Sequence, residues 1–145
     1  MAVRGRREVM IVEDYSPDYF EMQLGGKTPT VCEGKFVHII GPKEEFLVLS
    51  PVELTEFHAH IVQRFSRRRS EMSSVSLPSG EEVRFGTPGW SIKGGGCFQW
   101  DRTARRMSLW GASKAYGTFD GAYIREALRQ SQGWDDVDIH IGEPR

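Results

Sequence analysis

The sequence predicts an α+β fold: a single domain in which a mixed β-sheet is flanked by two main helices. Three observations carry this expectation. Apolar residues alternate with polar ones, or run together over a few positions, near 35–40, 45–49, 90–100, 107–109 and 137–141, the patterns of strands. Two other stretches, 50–68 and 120–128, space their apolar residues three and four apart, as a helix with one buried face does. The resulting order of strands, helix, strands, helix and strand suits helices laid on one sheet.

Taken in order, residues 1–33 read as an N-terminal arm or extension with a strand near 8–13. Charges, Pro17, Pro29 and the Gly25-Gly26 pair interrupt any longer period there. The main domain is placed at 34–145. Strands at 35–40 and 45–49 are joined by Gly41-Pro42-Lys43-Glu44, a spacing that suits an antiparallel hairpin. Phe46-Leu47-Val48-Leu49 is apolar on both faces and belongs in the middle of a sheet. Ser50-Pro51-Val52-Glu53 carries helix-start signals: a capping hydroxyl, a first-turn proline and a glutamate that completes a capping box. A helix is therefore expected from there to about Arg68, burying Leu54, Phe57/His58, Ile61/Val62 and Phe65.

Residues 70–89 are rich in Ser, Gly and Pro and read as a surface loop with a short strand at 82–85. Trp90, Ile92, Phe98 and Trp100 share one parity, Met107 and Leu109 share a face, and 101–106 forms the polar connection between the two strands. Asp120 is placed to cap a second helix that buries Tyr123/Ile124 and Ala127/Leu128 and ends before Gly133. Val137, Ile139 and Ile141 alternate with Asp138 and His140 in a terminal strand.

A chain of 145 residues can bury a core without disulfide or metal staples. With 39% hydrophobic and 27% charged residues it has the composition of a soluble globular protein. A net charge of −1 provides no field for non-specific nucleic-acid binding. The arginines at 67–69 and Arg102, Arg105 and Arg106 read first as a solvated helix end and hairpin tip, with an anionic partner as the alternative. Cys32 and Cys97 have neither metal-type nor disulfide-framework spacing, which points to a reducing, cytoplasmic setting. Arg4, Arg6 and Arg7 precede an apolar run too short for a signal peptide. No stretch approaches the roughly 20 apolar residues of a membrane helix. Neither a nucleic acid nor a membrane is expected as a partner.

Chemistry concentrates in two glycine-bearing segments, Gly94-Gly95-Gly96 and 111–117. Glycine turns let successive amides converge on an anion, so the Ser113–Tyr116 step reads as a phosphate cradle. Its ordinary alternative is a strand end with Ser113 in a local backbone hydrogen bond. The triple glycine matches no nucleotide-binding pattern and reads as a bulge that re-aims the chain. Cys97 is a buried structural thiol or a reactive one. His58 lies on the apolar stripe of the first helix; such a histidine is ordinarily a satisfied core residue, and a catalyst in the other case. His60, about 200° further round a helix, faces away, so the two cannot chelate one ion. No metal and no cofactor are expected.

Phe57-His58-Ala59-His60-Ile61, the triple glycine and Gly111-Ala112-Ser113-Lys114-Ala115-Tyr116-Gly117 together resemble the Janus/Ocnus family of small protein histidine phosphatases. That family carries Tyr-His-Ala-Asp-Ile, Gly-Gly-Gly and Gly-Tyr-Ser-Met-Ala-Tyr-Gly in the same order, and the similarity runs from about Gly34 to the C-terminus. The resemblance implies a phosphohistidine-phosphatase-like sheet and metal-free hydrolysis of the P–N bond of phosphohistidine or phospholysine. His58 takes the place of the essential histidine, as general base or nucleophile, and the Ser113 and Ala115 amides take the place of the phosphate binders. The partner implied is a phosphorylated protein or a small phosphoramidate. The sequence departs at Cys97 and Val37, where the family has arginine and lysine, and at His60, where it has aspartate. Lys35, Lys93 and Lys114 are the candidates to supply a cation. Two other functions fit the sequence: a phosphate- or anion-binding module of the same fold without turnover, and a structural interaction domain.

Overall fold

A computed structural model describes residues 10–55, 57–69, 72–76 and 82–144. Its strands are β1 (Ile11–Asp14), β2 (Val31–Ile40), β3 (Glu45–Pro51), β4 (Ser74–Ser76), β5 (Val83–Phe85), β6 (Ser91–Asp101), β7 (Arg106–Trp110) and β8 (Asp138–Ile141). Its α-helices are α1 (His58–Arg67) and α2 (Gly121–Arg129), and a π-helical turn spans Asp18–Gln23.

Six strands form one mixed sheet in the order β1-β3-β2-β6-β7-β8, and β4 pairs with β5 in a separate ribbon. The outermost pairings, β1 with β3 and β7 with β8, are parallel, whereas β3-β2, β2-β6 and β6-β7 are antiparallel. The expected α+β class with a mixed sheet is what the chain adopts.

The helices lie on opposite faces. Ala59, Ile61, Val62 and Phe65 of α1 pack with Val37, Ile39, Phe46 and Val48. Ile124, Ala127 and Leu128 of α2 pack with Phe36, Leu47, Leu49, Phe98 and Leu109. Consecutive residues of β3 thus feed both cores, which explains why Phe46-Leu47-Val48-Leu49 is apolar throughout. Burying one such side chain contributes about 1.5–3 kcal/mol, so the two cores hold the helices against the sheet.

Four local expectations change. The first concerns the start of α1, which is His58 and not the Ser50 region. Ser50 and Pro51 remain in the ladder with Lys35 and Gly34, and the Ser50 hydroxyl is paired with that of buried Thr55. Pairing along β2 therefore overrides the local capping signal. The Pro51 carbonyl accepts from the amides of Leu54 and Thr55, the chain turns, and extended Phe57 precedes α1 without a side-chain cap. Phe57 is consequently 43% exposed and not part of the buried stripe.

The second change is at the triple glycine. His38 pairs with Gly94 and Ile39 with Ile92, so Lys93 is an extra residue and the face of β6 reverses there. Trp90 and Ile92 join the α1 core while Phe98 and Trp100 join the α2 core, although the four share one parity in sequence. The third is Tyr123, expected inside α2: it is 43% exposed, and its hydroxyl donates to Glu45 at 2.6 Å. Asp120 caps α2 as expected, accepting from the Tyr123 amide at 3.0 Å.

The fourth concerns the N-terminal segment. Residues 11–14 form an edge strand of the main sheet, Met10 donates to the Ser131 hydroxyl at 3.0 Å, and Tyr15 is fully buried. Met10 and Tyr15 of the expected arm thus pack into the cores on the two faces of the sheet, whereas residues 21–27 are exposed; residues 8 and 9 of the expected strand lie outside the described residues. Among the described residues no helix is long and apolar enough to cross a membrane.

Candidate functional site

The site grows from the start of α1 and the strand it faces. His58 is the first residue of the helix and is only 7% exposed. Its Nε2 lies 2.8 Å from the Gly96 carbonyl oxygen. A carbonyl only accepts, so Nε2 carries the proton and donates it. Nδ1, which bonds to nothing among the described residues, is then the basic nitrogen of the neutral ring. Burial pushes the pKa of His58 below the usual imidazole value; the Gly96 bond opposes this and the nearby Lys35 charge adds to it. Burial thus favours the neutral form of His58.

Gly95 explains how a histidine ring can lie so close to the sheet. A Cβ there would meet the Phe36 carbonyl oxygen at 2.5 Å, His58 Cδ2 at 3.0 Å and Ser113 Cβ at 3.4 Å. His58 and Ser113 thus flank one residue whose side chain must be missing. The triple glycine is a close-approach surface for the helix start and for the loop beyond β7.

That loop leaves β7 through Gly111, which has φ +79°. It then closes on itself: Ser113 N donates to Gly117 O at 3.0 Å and Gly117 N to Ser113 O at 2.8 Å. Tyr116 N donates to the Ser113 hydroxyl at 3.1 Å, and Gly95 N ties the loop to β6 by donating to Gly117 O at 3.2 Å. The Tyr116 hydroxyl donates to the Val83 carbonyl at 2.7 Å and accepts from its amide at 2.8 Å, which clamps the β4-β5 ribbon to the loop. Burial pushes the Tyr116 pKa up to about 12, so this hydroxyl keeps its proton.

These bonds narrow the expected cradle. The amides of Ser113 and Tyr116 are committed within the loop, so a convergent set of all the amides from Ser113 to Tyr116 is not available. The Ala115 amide has no partner among the described residues.

A cleft of about 450 Å³ opens here, lined by His58, Lys35, Phe57, Glu82 and loop residues 112–115. The structure thus brings together His58, Ser113, Lys114, Ala115 and Lys35, which the sequence had singled out. It does not bring Lys93, which stands at the bulge, lines no part of this cleft and acts instead on His38. His60 is exposed on the far side, with its ring 5.5 Å from that of Phe57. Cys97 is the cross-strand neighbour of Lys35 and so shares its face of the sheet. Among the described residues no three His, Cys, Asp or Glu side chains gather as a metal site would require. Sequence reasoning missed Phe57 and Glu82: the displaced helix start put Phe57 on the wrong face, and nothing local marks Glu82.

A second buried histidine lies apart from the cleft. His38 Nε2 is 2.9 Å from Glu45 Oε1, and its ring stacks on Tyr123 at 5.8 Å. Desolvation pushes its pKa down against the pull of Glu45.

No model of a protein family matches this chain, and no curated protein matches it.

Proposed function

We propose that this protein is a metal-independent phosphatase that hydrolyses the P–N bond of phosphohistidine or phospholysine, on a phosphorylated protein or a small phosphoramidate. It would do so with a phosphohistidine-phosphatase-like fold and in the cytoplasm, where Cys32 and Cys97 stay reduced. The observation that carries the reading is a neutral, buried His58 in one cleft with Lys35 and the 113–115 backbone.

In the proposed reaction His58 Nδ1 takes a proton from water as its oxygen attacks phosphorus. The P–O bond forms, the P–N bond breaks, and His58 passes the proton it took to the leaving side chain, giving inorganic phosphate, the free side chain and neutral His58. In the nucleophilic version Nδ1 itself attacks, and water then cleaves the phosphorylated His58. Lys35 and the 113–115 segment stabilise the charge on the non-bridging oxygens. A P–N bond whose nitrogen is protonated is inherently labile, so positioning and charge stabilisation suffice without a Lewis acid. Lys35 also stands beside Cys97, the position where the family carries arginine.

A second reading, an anion-binding module without turnover, is favoured by the loop bonds that commit the Ser113 and Tyr116 amides. Phosphate release from a phosphohistidine peptide in chelator separates the two. Release supports the phosphatase; phosphate binding without release supports the module.

A further inference from the structure

The outer side of α1 carries a second concave surface that the chemistry above does not use. A groove of about 340 Å³ is lined by His60, Arg64, Arg67 and Arg68 together with Leu54 and Thr55. His60, Arg64 and Arg67/Arg68 follow at i, i+4 and i+7/i+8, one stripe of a helix. Like charges at such spacing weaken a helix, so three arginines within five residues are not there for helix stability alone. Cations do suit the last turn, but a single one would serve that purpose.

The ion pairs are unequal. Arg68 pairs with Asp18, and Arg69, outside the groove, pairs with Glu13 at 2.6 Å. Among the described residues neither Arg64 nor Arg67 has a carboxylate within ion-pair distance. The groove therefore sets three guanidiniums against one carboxylate, on a chain whose overall charge is −1. Two of the guanidiniums are held in position. Arg64 and Arg68 lie 5.8 and 4.9 Å from the ring centroid of Tyr15. That ring is fully buried, and its hydroxyl donates to Glu13 at 2.7 Å. Guanidiniums fixed on an aromatic face lose little freedom when they grip a carboxylate in bidentate fashion.

The groove and the cleft adjoin across one pair of rings. Phe57 lines the cleft, His60 lines the groove, and their rings meet edge to face at 5.5 Å. We propose that the groove docks an acidic peptide segment of the phosphorylated protein whose modified side chain enters the His58 cleft. This proposal rests on the phosphatase reading. From His58 to Arg64 or Arg67 the helix rises about 9 to 14 Å. An extended peptide covers about 3.3 Å per residue, so the acidic residues stand about three to four positions from the phosphorylated one.

The test uses the full chain and two probes. A fluorescein-labelled, unphosphorylated peptide carrying Glu at those positions reports docking alone, and the same peptide with Gln is its control. The Glu peptide is expected to bind the unaltered protein and the His58→Ala variant equally. Binding should weaken about tenfold in Arg64→Gln/Arg67→Gln, and it should weaken with added salt. Arg67→Glu, at an exposed position, is the second variant and should do the same. On phosphohistidine placed in the acidic peptide, the double variant should raise KM about tenfold with kcat unchanged, while free phosphohistidine is turned over as before.

Equal binding of Glu and Gln peptides overturns the proposal, as does binding indifferent to both arginine variants. So does binding to phosphatidylserine vesicles without binding to the peptide. Arginine-dependent peptide binding with no turnover of either substrate overturns the phosphatase reading and leaves the docking groove standing.

Discussion

His58 donates its Nε2 proton to the Gly96 carbonyl 2.8 Å away, a bond made between the first residue of α1 and a residue 38 positions later in β6. It fixes the tautomer and orients the ring. It also leaves Nδ1 as the base, at a position where burial holds the pKa down.

The acid limb of kcat/KM should accordingly fall below the usual imidazole value of about 6.5. In the proposed mechanism neutral His58 is the active form, and a lowered pKa keeps it neutral to lower pH. A pH profile with its acid limb above 7 would contradict the burial argument.

Stability should follow the same sign. His38 and His58 both have folded-state pKa values below the unfolded one, so between the two values the unfolded chain binds more protons. The stability they contribute is complete above about pH 6.5 and is lost as pH falls from there through the folded values. Urea midpoints at pH 7.5 and 5.5 should differ in that direction, and His38→Phe should reduce the difference.

Gly95→Ala should damage both fold and site. The new methyl meets the Phe36 carbonyl at 2.5 Å and the His58 ring at 3.0 Å, and overpacking of this kind costs about 1–3 kcal/mol. A melting curve and a turnover assay should fall together. If the variant folds normally and keeps full activity, the close approach does not position His58.

Tyr116→Phe removes one hydroxyl that both donates to and accepts from Val83. Leaving those backbone groups unpaired costs about 1–3 kcal/mol. Hydrogen exchange at the Val83 amide should accelerate, because the ribbon is released from the loop.

Lys35→Ala should weaken phosphate binding, followed by amide shifts at 113–115, whereas Lys93→Ala should leave it unchanged. Lys35 lines the cleft and its charge reaches His58, while the Lys93 charge acts on His38.

The sheet strands, both helices and the inward placement of His58 were readable in the sequence, because they depend on apolar period and a few caps. What escaped it depends on pairing between distant residues. Ser50 looks like a helix cap, but its partners in the ladder and the Thr55 hydroxyl keep it in β3. Trp90 and Phe98 look like one face until Lys93 is found to bulge opposite the His38-Ile39 step. The triple glycine reads as a bulge, but its three residues pair regularly with Phe36, Val37 and His38 while the neighbouring Lys93 is the extra residue; why Gly95 must lack a side chain emerges only when His58 and Ser113 arrive on it from other elements. The segment reads as a full cradle of amides because the loop's own hydrogen bonds, which occupy the Ser113 and Tyr116 amides, are not written in its composition.

The most direct test of the central claim compares the unaltered protein with His58→Ala in chelator, measuring phosphate release from phosphohistidine and phosphate affinity on the same samples. The account predicts that His58→Ala abolishes release while phosphate affinity changes no more than a few-fold, since Lys35 and the 113–115 segment remain. Release that survives His58→Ala, or that disappears from the unaltered protein in chelator, would contradict it.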